Sequence, residues 1–214
     1  LAAETFDDIL YFGSRPEIIE AAEKRLAPHG LLNIVLGGHK IGRLVSYGVG
    51  RVHYGGTRLV GTAGHNAAES LKAIPPTGEI RPGEKLFIVG AAGPMGMMHV
   101  IRDLCQGVAD IELTATDMDD ARLAVLDAKA APLANARGLA YRSLNPQKRA
   151  ERVEATYTAL MVPVPALLAK AIVESRPAGL INIFAGIPAT VYHDIDLDAY
   201  IAKGLYMIGT SGSL

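Results

Sequence analysis

The residues best suited to hold a charged ligand are three glycines, Gly90, Gly93 and Gly96, with Pro94 and Met95 between the last two and an acid, Asp117, downstream. Glycines let a backbone come close to a pyrophosphate, and a helix starting at such a turn offers free N–H groups and a positive dipole end. The spacing is Gly-x-x-Gly-x-x-Gly; Ala91 stands where the commoner Gly-x-Gly-x-x-Gly has its first glycine. The N–H groups of Met95 and Gly96 would face the pyrophosphate, whereas Pro94 has none to give. Asp117 would accept hydrogen bonds from an adenosine ribose, and its charge would repel a 2′-phosphate. That favours NAD over NADP. Two plainer readings stay open: Asp117 as a helix cap and Arg122 as an exposed helix charge rather than a contact to ribose or adenine.

Positioning these residues requires a strand, a turn, a helix and a second strand, in that order. Lys85–Asp117 supplies them. Leu86 to Val89 is an apolar strand, Met97, Met98, Ile101 and Leu104 lie on one face of a helix, and Ile111 to Ala115 is the second strand. Asp119 to Ala130 then suits a helix, Leu139 to Leu144 a strand, and a charged piece around Lys148 to Val153 a further helical turn. Strands are expected at Thr158 to Val162, Leu180 to Phe184 and Leu205 to Ile208, with a helix from Pro165 to Glu174. Upstream, Phe6 to Gly13 reads as a buried strand. Ile18, Ile19, Ala22 and Leu26 recur at helical spacing, Pro28-His29-Gly30 ends that helix, and strands follow at Leu31–Leu36 and Thr57–Gly61. Alternating strands and helices predict an α/β fold, a Rossmann-type doubly wound parallel sheet.

An internal match adds a partial repeat. Pro16-Glu-Ile-Ile parallels Pro165-Ala-Leu-Leu, Pro28-His-Gly30 parallels Pro177-Ala-Gly179, and Leu31-Leu-Asn-Ile parallels Leu180-Ile-Asn-Ile; the offset is 149 in each case (165 − 16, 177 − 28, 180 − 31). Gly61-Thr-Ala-Gly64 parallels Gly209-Thr-Ser-Gly212 with the offset one shorter. Residues 1–68 are therefore expected to duplicate the second Rossmann half, and 69–214 to form the dinucleotide-binding domain. The early copy has no first half, so the chain reads as a fragment of a longer polypeptide. Its turns at Gly13-Ser14 and Gly37-Gly38 are expected to hold no ligand.

Composition narrows the classes. The chain has 214 residues, half of them hydrophobic and a fifth charged, with a formal net charge of −1. It can bury a core, and it carries neither the basic footprint of a nucleic-acid binder nor an apolar run of the roughly 20 residues that cross a bilayer. Its single cysteine, Cys105, excludes an internal disulfide and fits a buried packing role and a reducing cytoplasm. The six histidines show no metal-ligand spacing and read as loop or surface residues. No tyrosine has a lysine four positions on, and no phosphate-binding Gly-x-x-x-x-Gly-Lys loop is present.

Residues 80–130, IRPGEKLFIVGAAGPMG to TATDMDDARL, resemble the coenzyme-binding domain of medium-chain, zinc-type alcohol and polyol dehydrogenases. The resemblance rests on Pro82-Gly83, Gly93-Pro94-Met95-Gly96, Asp117 and Arg122. Residues 7–37 and 159–186 resemble that family's fourth strand, helix and fifth strand, and two such units in one chain resemble its sorbose-phosphate-reductase-like members. The resemblance implies a bound nicotinamide dinucleotide, with Met118 beside Asp117 in the cofactor set and the turns at Val162-Pro163 and Gly186-Ile187 lining the nicotinamide half. It implies a small alcohol or sugar-alcohol substrate, no nucleic-acid or membrane partner, and a catalytic zinc held in a separate domain. It also leaves a homo-oligomer open, since paired subunits of that family join their last strands. The rival classes are a methyltransferase-like domain using S-adenosylmethionine and a non-catalytic Rossmann module serving assembly.

Overall fold

The computed structural model describes residues 4–209. The last part of the second Gly-Thr-x-Gly match, Thr210–Gly212, lies outside the described residues. In chain order the elements are β1 (Phe6–Phe12), α1 (Pro16–Lys24), β2 (Leu26–Val35), β3 (Val45–Tyr47), α2 (Val49–Tyr54), β4 (Arg58–Thr62), α3 (Ala67–Ser70), β5 (Lys85–Val89), α4 (Pro94–Cys105), β6 (Glu112–Thr116), α5 (Asp120–Arg137), β7 (Ala140–Leu144), β8 (Tyr157–Leu160), α6 (Pro165–Glu174), β9 (Leu180–Ile183), β10 (His193–Ile195), α7 (Leu197–Ala202) and β11 (Tyr206–Gly209).

Six strands form one parallel sheet in the order β11-β9-β8-β5-β6-β7. This is the Rossmann arrangement. Its strand order reverses between β5 and β8, where open α/β sheets bind ligands. The short apolar runs become central strands because both their faces are covered: Leu86, Ile88, Leu113, Ala115, Ala159 and Ile181 are all buried. Pro at the first turn of α1, α4 and α6 starts each helix where its missing N–H costs nothing. A second parallel sheet, β1-β2-β4, stands beside the first, and β3 pairs antiparallel with β10. One core cluster draws on both sheets, joining Ile19, Leu32, Val52 and Leu59 to Leu168, Ile183, Ile201 and Met207. No helix among the described residues is long and apolar enough to cross a membrane.

Several expectations are corrected. β1 is an edge strand, not a buried one: Phe6, Leu10 and Phe12 are 44%, 52% and 61% exposed, and only Ile9 and Tyr11 turn toward the core. α1 stops at Lys24. Leu26 is buried because it opens β2, and Pro28-His29-Gly30 lie within that strand, in a bulge where the β1 register jumps between Phe6↔Leu26 and Asp8↔Leu31. Helical spacing alone could not separate a last helical turn from a first strand residue. Lys148–Val153 is no helix. The side chain and carbonyl of Asn145 hold a single turn there, accepting from the N–H groups of Gln147 and Arg149, and the chain then runs extended. On α4, Met98 is 64% exposed and Cys105 is exposed at the helix end, because the buried face runs through Gly96, Val100, Asp103 and Leu104.

Candidate functional site

The glycine turn leaves the middle of the sheet. β5 pairs on one side with β6 (Val89↔Thr116) and on the other with β8 (Val89↔Leu160), so its end is fixed from both directions. Gly90 takes φ +78, a conformation that favours glycine, and the N–H groups of Gly90 and Ala91 both donate to the Thr116 carbonyl, at 2.9 and 2.8 Å. Ala91 is fully buried, which accommodates the alanine found in place of the first glycine. Ala92 N–H donates to Asp117 Oδ2 at 3.1 Å. α4 then begins, its first helical bond running from Met97 N–H to the Gly93 carbonyl at 2.8 Å. The N–H groups of Met95 and Gly96 precede that bond and open toward the end of the helix, the anion-accepting geometry.

The glycines have different jobs. A Cβ at Gly96 would lie 2.7 Å from Ala91 Cα and 2.8 Å from its carbonyl carbon, so Gly96 lets α4 pack directly on the turn. A Cβ at Gly93 would meet only the Gly90 carbonyl oxygen, at 3.7 Å. Space is therefore kept in front of Gly93 that the fold itself does not use.

Asp117 follows β6. Its Oδ1 accepts from Asp119 N–H and its Oδ2 from Ala92 N–H, each at 3.1 Å, which ties the carboxylate to the glycine turn and leaves lone pairs on both oxygens. The cap of α5 is Asp119, whose Oδ1 accepts from Arg122 N–H at 3.1 Å; Asp117 does not cap that helix. The Arg122 side chain is 65% exposed and stands 3.5 Å from Asp119 Oδ2. Met118 is 65% exposed, its carbonyl held by Asn145 Nδ2 and its sulfur by Gln147 Nε2. Val162 and Pro163 follow β8, with Val162 against Gly90, and Gly186 follows β9. All the singled-out residues thus lie past the carboxyl ends of β5, β6, β8 and β9, on one rim of the sheet.

Sequence reasoning missed a buried polar cluster behind this rim. His99 was expected in a loop or at the surface, yet it lies on α4 with its side chain 12% exposed, 3.9 Å from the fully buried Asp103. Burial pushes the Asp103 carboxyl up to about 7, against the lowering pull of Arg102. Burial, with Arg102 adding to it, pushes His99 down to about 4. Near neutrality the pair therefore sits with an uncharged imidazole. Tyr157, pushed up to about 12 by burial, accepts from Asn182 Nδ2 at 3.1 Å in the same layer. The four-residue spacing of His99 and Asp103 was the available signal. His53 is also no loop residue: it lies on α2, and its Nδ1 is 2.8 Å from the Ile183 carbonyl.

Elsewhere the chemistry is less suggestive. Among the described residues no group of three or more His, Cys, Asp or Glu is placed to hold a metal ion. A cleft of about 360 Å³ lies at the amino ends of β5, β6 and β7. Its cations are paired, Lys85 with Glu112, Arg142 with Glu151, and Arg152 and Arg176 with Glu154. That is a solvated ionic rim, on the wrong end of the strands for a Rossmann ligand.

No protein-family model matches the chain. Over 87 residues it is 32% identical to the uncharacterized protein YggP of Escherichia coli K12, a match covering 40% of this chain and 20% of that protein. Partial likeness to solved structures includes an alcohol dehydrogenase zinc-binding domain protein from Burkholderia ambifaria, at 19% identity and TM-score 0.49, over 61% of this chain and 34% of that one. A short-chain alcohol dehydrogenase of E. coli CFT073 solved with NADH matches at 18% identity and TM-score 0.48, over 62% and 38%. A 2R,3R-butanediol dehydrogenase of Bacillus subtilis matches at 20% identity and TM-score 0.46, over 63% and 37%. The chain thus spans about a fifth of the curated relative and between a third and two-fifths of these structures.

Proposed function

We propose that this chain is the nicotinamide-dinucleotide-binding portion of an alcohol or polyol dehydrogenase of the zinc-type, medium-chain kind. The observation that carries the reading is the turn itself: β5 ends at the reversal of strand order, Gly96 lets α4 close on it, and Gly93 keeps clear space before the helix end, with Asp117 tied to the same turn. These residues fit a dinucleotide. Met95 and Gly96 donate to the pyrophosphate, Asp117 accepts from the adenosine ribose diol and disfavours a 2′-phosphate, and Met118 and Arg122 flank the adenine end. Val162, Pro163 and Gly186 line the nicotinamide half. NAD bound here would take a hydride from a secondary alcohol or, reduced, return it to a ketone.

Zinc and its ligands, by the family resemblance, belong to a separate domain, and the substrate pocket largely with them. The chain by itself is thus proposed to bind cofactor without turning substrate over. Residues 1–68 and 69–214 are proposed as the two units, the first a partial duplicate of the second. Supporting this, the elements recur in the same order at nearly constant offset: α2 and α7 start 148 residues apart (197 − 49), as do β4 and β11 (206 − 58).

The test is calorimetric titration of the purified chain with NADH, NADPH and S-adenosylmethionine. NADH should bind, and more tightly than NADPH. Binding of the methyl donor alone would overturn the reading.

A further inference from the structure

We propose that the N-terminal unit completes the cofactor site, with Tyr54 of α2 contacting the nicotinamide–ribose half of the bound dinucleotide. The inference rests on the dinucleotide reading above. Tyr54 lies at the end of α2, and its hydroxyl stands 2.6 Å from where a Cβ on Gly186 would be. Gly186 follows β9 on the ligand rim, so a residue from far upstream in the chain overhangs the end of the sheet assigned to nicotinamide.

The position of Tyr54 is imposed by packing. His53 Nδ1 is 2.8 Å from the Ile183 carbonyl, and the His53 ring meets the Tyr54 ring edge-on at 4.7 Å. Gly50 packs against the Pro188 carbonyl and Gly209 against the His53 backbone so closely that neither has room for a Cβ. Tyr54 nevertheless remains 60% exposed. A large aromatic whose backbone is fixed by close packing, with most of its surface uncovered beside a ligand rim, is suited to stack on a ring and offer one hydroxyl.

The two halves of the chain make reciprocal contacts, and these show that the placement is one-sided. Gly61 packs on Ile201, whose Cγ1 is 2.6 Å from where a Cβ would be, and Gly209 packs on His53; the equivalent positions of the two contacts are 148 residues apart (209 − 61, 201 − 53). β3 pairs antiparallel with β10 through Ser46↔Asp194, also 148 apart (194 − 46). Such reciprocity is the mark of a two-fold relation. Under it the counterpart of Tyr54 is Ala202 (202 − 54 = 148), which carries no ring and no hydroxyl. The counterpart of Gly186 is Gly37 (186 − 37 = 149), whose turn is closed by its own chain: Gly37 N–H donates to the Gly64 carbonyl and Gly38 N–H to that of Ala63. Across this relation α2 lends an aromatic to the rim with the Gly90–Gly96 turn and α7 lends none back; the rings at the early rim, Tyr11 at Gly13 and His65 at Gly37, come from its own unit.

Tyr54→Ala and Tyr54→Phe in the full chain, titrated with NADH and with ADP, test this. ADP reports the adenine and pyrophosphate contacts alone. Tyr54→Ala should weaken NADH about tenfold, the scale of one ring contact with one hydrogen bond, and leave ADP unchanged. Tyr54→Phe should recover part of the loss. Wild-type NADH affinity in Tyr54→Ala, or equal losses for NADH and ADP in both variants, would overturn the role of Tyr54 alone. A wild-type chain that binds neither ligand would overturn the dinucleotide reading and this inference with it.

Discussion

Gly93→Ala and Gly96→Ala separate the fold's use of this turn from the ligand's. At Gly96 the added methyl would overlap the Gly90 carbonyl oxygen and would have to move from 2.7 Å to at least 3.4 Å from Ala91 Cα, displacing α4 from β5 by at least about 0.7 Å (3.4 − 2.7). Overpacking of that kind costs about 1–3 kcal/mol, offset by about 1 kcal/mol from the better helix propensity of alanine. Gly96→Ala should therefore lose up to about 2 kcal/mol of stability and most of its NADH binding. Gly93 has an ordinary φ of −71 and a free path for a methyl, so Gly93→Ala should leave stability within about 0.5 kcal/mol of wild type. The methyl would occupy the space proposed for the pyrophosphate. Losing even one charge-assisted hydrogen bond costs about 1.5–3 kcal/mol, so NADH should bind roughly 10- to 100-fold more weakly. Chemical denaturation gives the stability and calorimetry the affinity. Wild-type NADH affinity in Gly93→Ala would refute the assignment of this turn to a pyrophosphate.

Three further outcomes are expected. Asp117→Ser should weaken NADH more than NADPH, narrowing their ratio by about tenfold; equal losses would leave Asp117 with a purely structural role through Ala92. His99 and Asp103 should oppose each other in stability against pH. A depressed histidine makes stability rise with pH between about 4 and 6.5, whereas a raised carboxyl makes it fall between about 4 and 7. The two slopes nearly cancel in the wild type. Asp103→Asn should thus expose a rise of about 3 kcal/mol from pH 4 to 6.5 in denaturation curves, and a profile identical to wild type would show that the pair does not titrate this way. Arg51 donates to Glu23 Oε1 at 2.7 Å and to the carbonyls of Glu23 and Leu26, with Glu23 fully buried. Arg51→Ala should cost about 3–5 kcal/mol by leaving that carboxylate unpaired, and a loss below about 1 kcal/mol in a melting experiment would contradict it.

Elements whose signals are local were legible in the sequence. Apolar runs bounded by glycine and proline marked β5, β6, β8 and β9, Pro165 marked the start of α6, and the order strand–turn–helix–strand placed Gly90–Gly96 and Asp117 on one rim, because each rule acts within a few residues. Features that depend on distant partners emerge only from packing. Phe6, Leu10 and Phe12 are as apolar as any core strand, but among the described residues no strand pairs with the outer edge of β1. Leu26 carries a helical period and is claimed by β2, because a ladder with β1 was available to it. Asp119 rather than Asp117 caps α5, a choice between two acids two positions apart that backbone geometry alone makes. His99 and Asp103 look like surface residues until α4 turns them under the sheet, and Tyr54 has no recognisable motif. Its place beside Gly186 arises from the packing of α2 across the ends of β9 and β11, a contact between residues more than a hundred positions apart that periodicity and propensity do not encode.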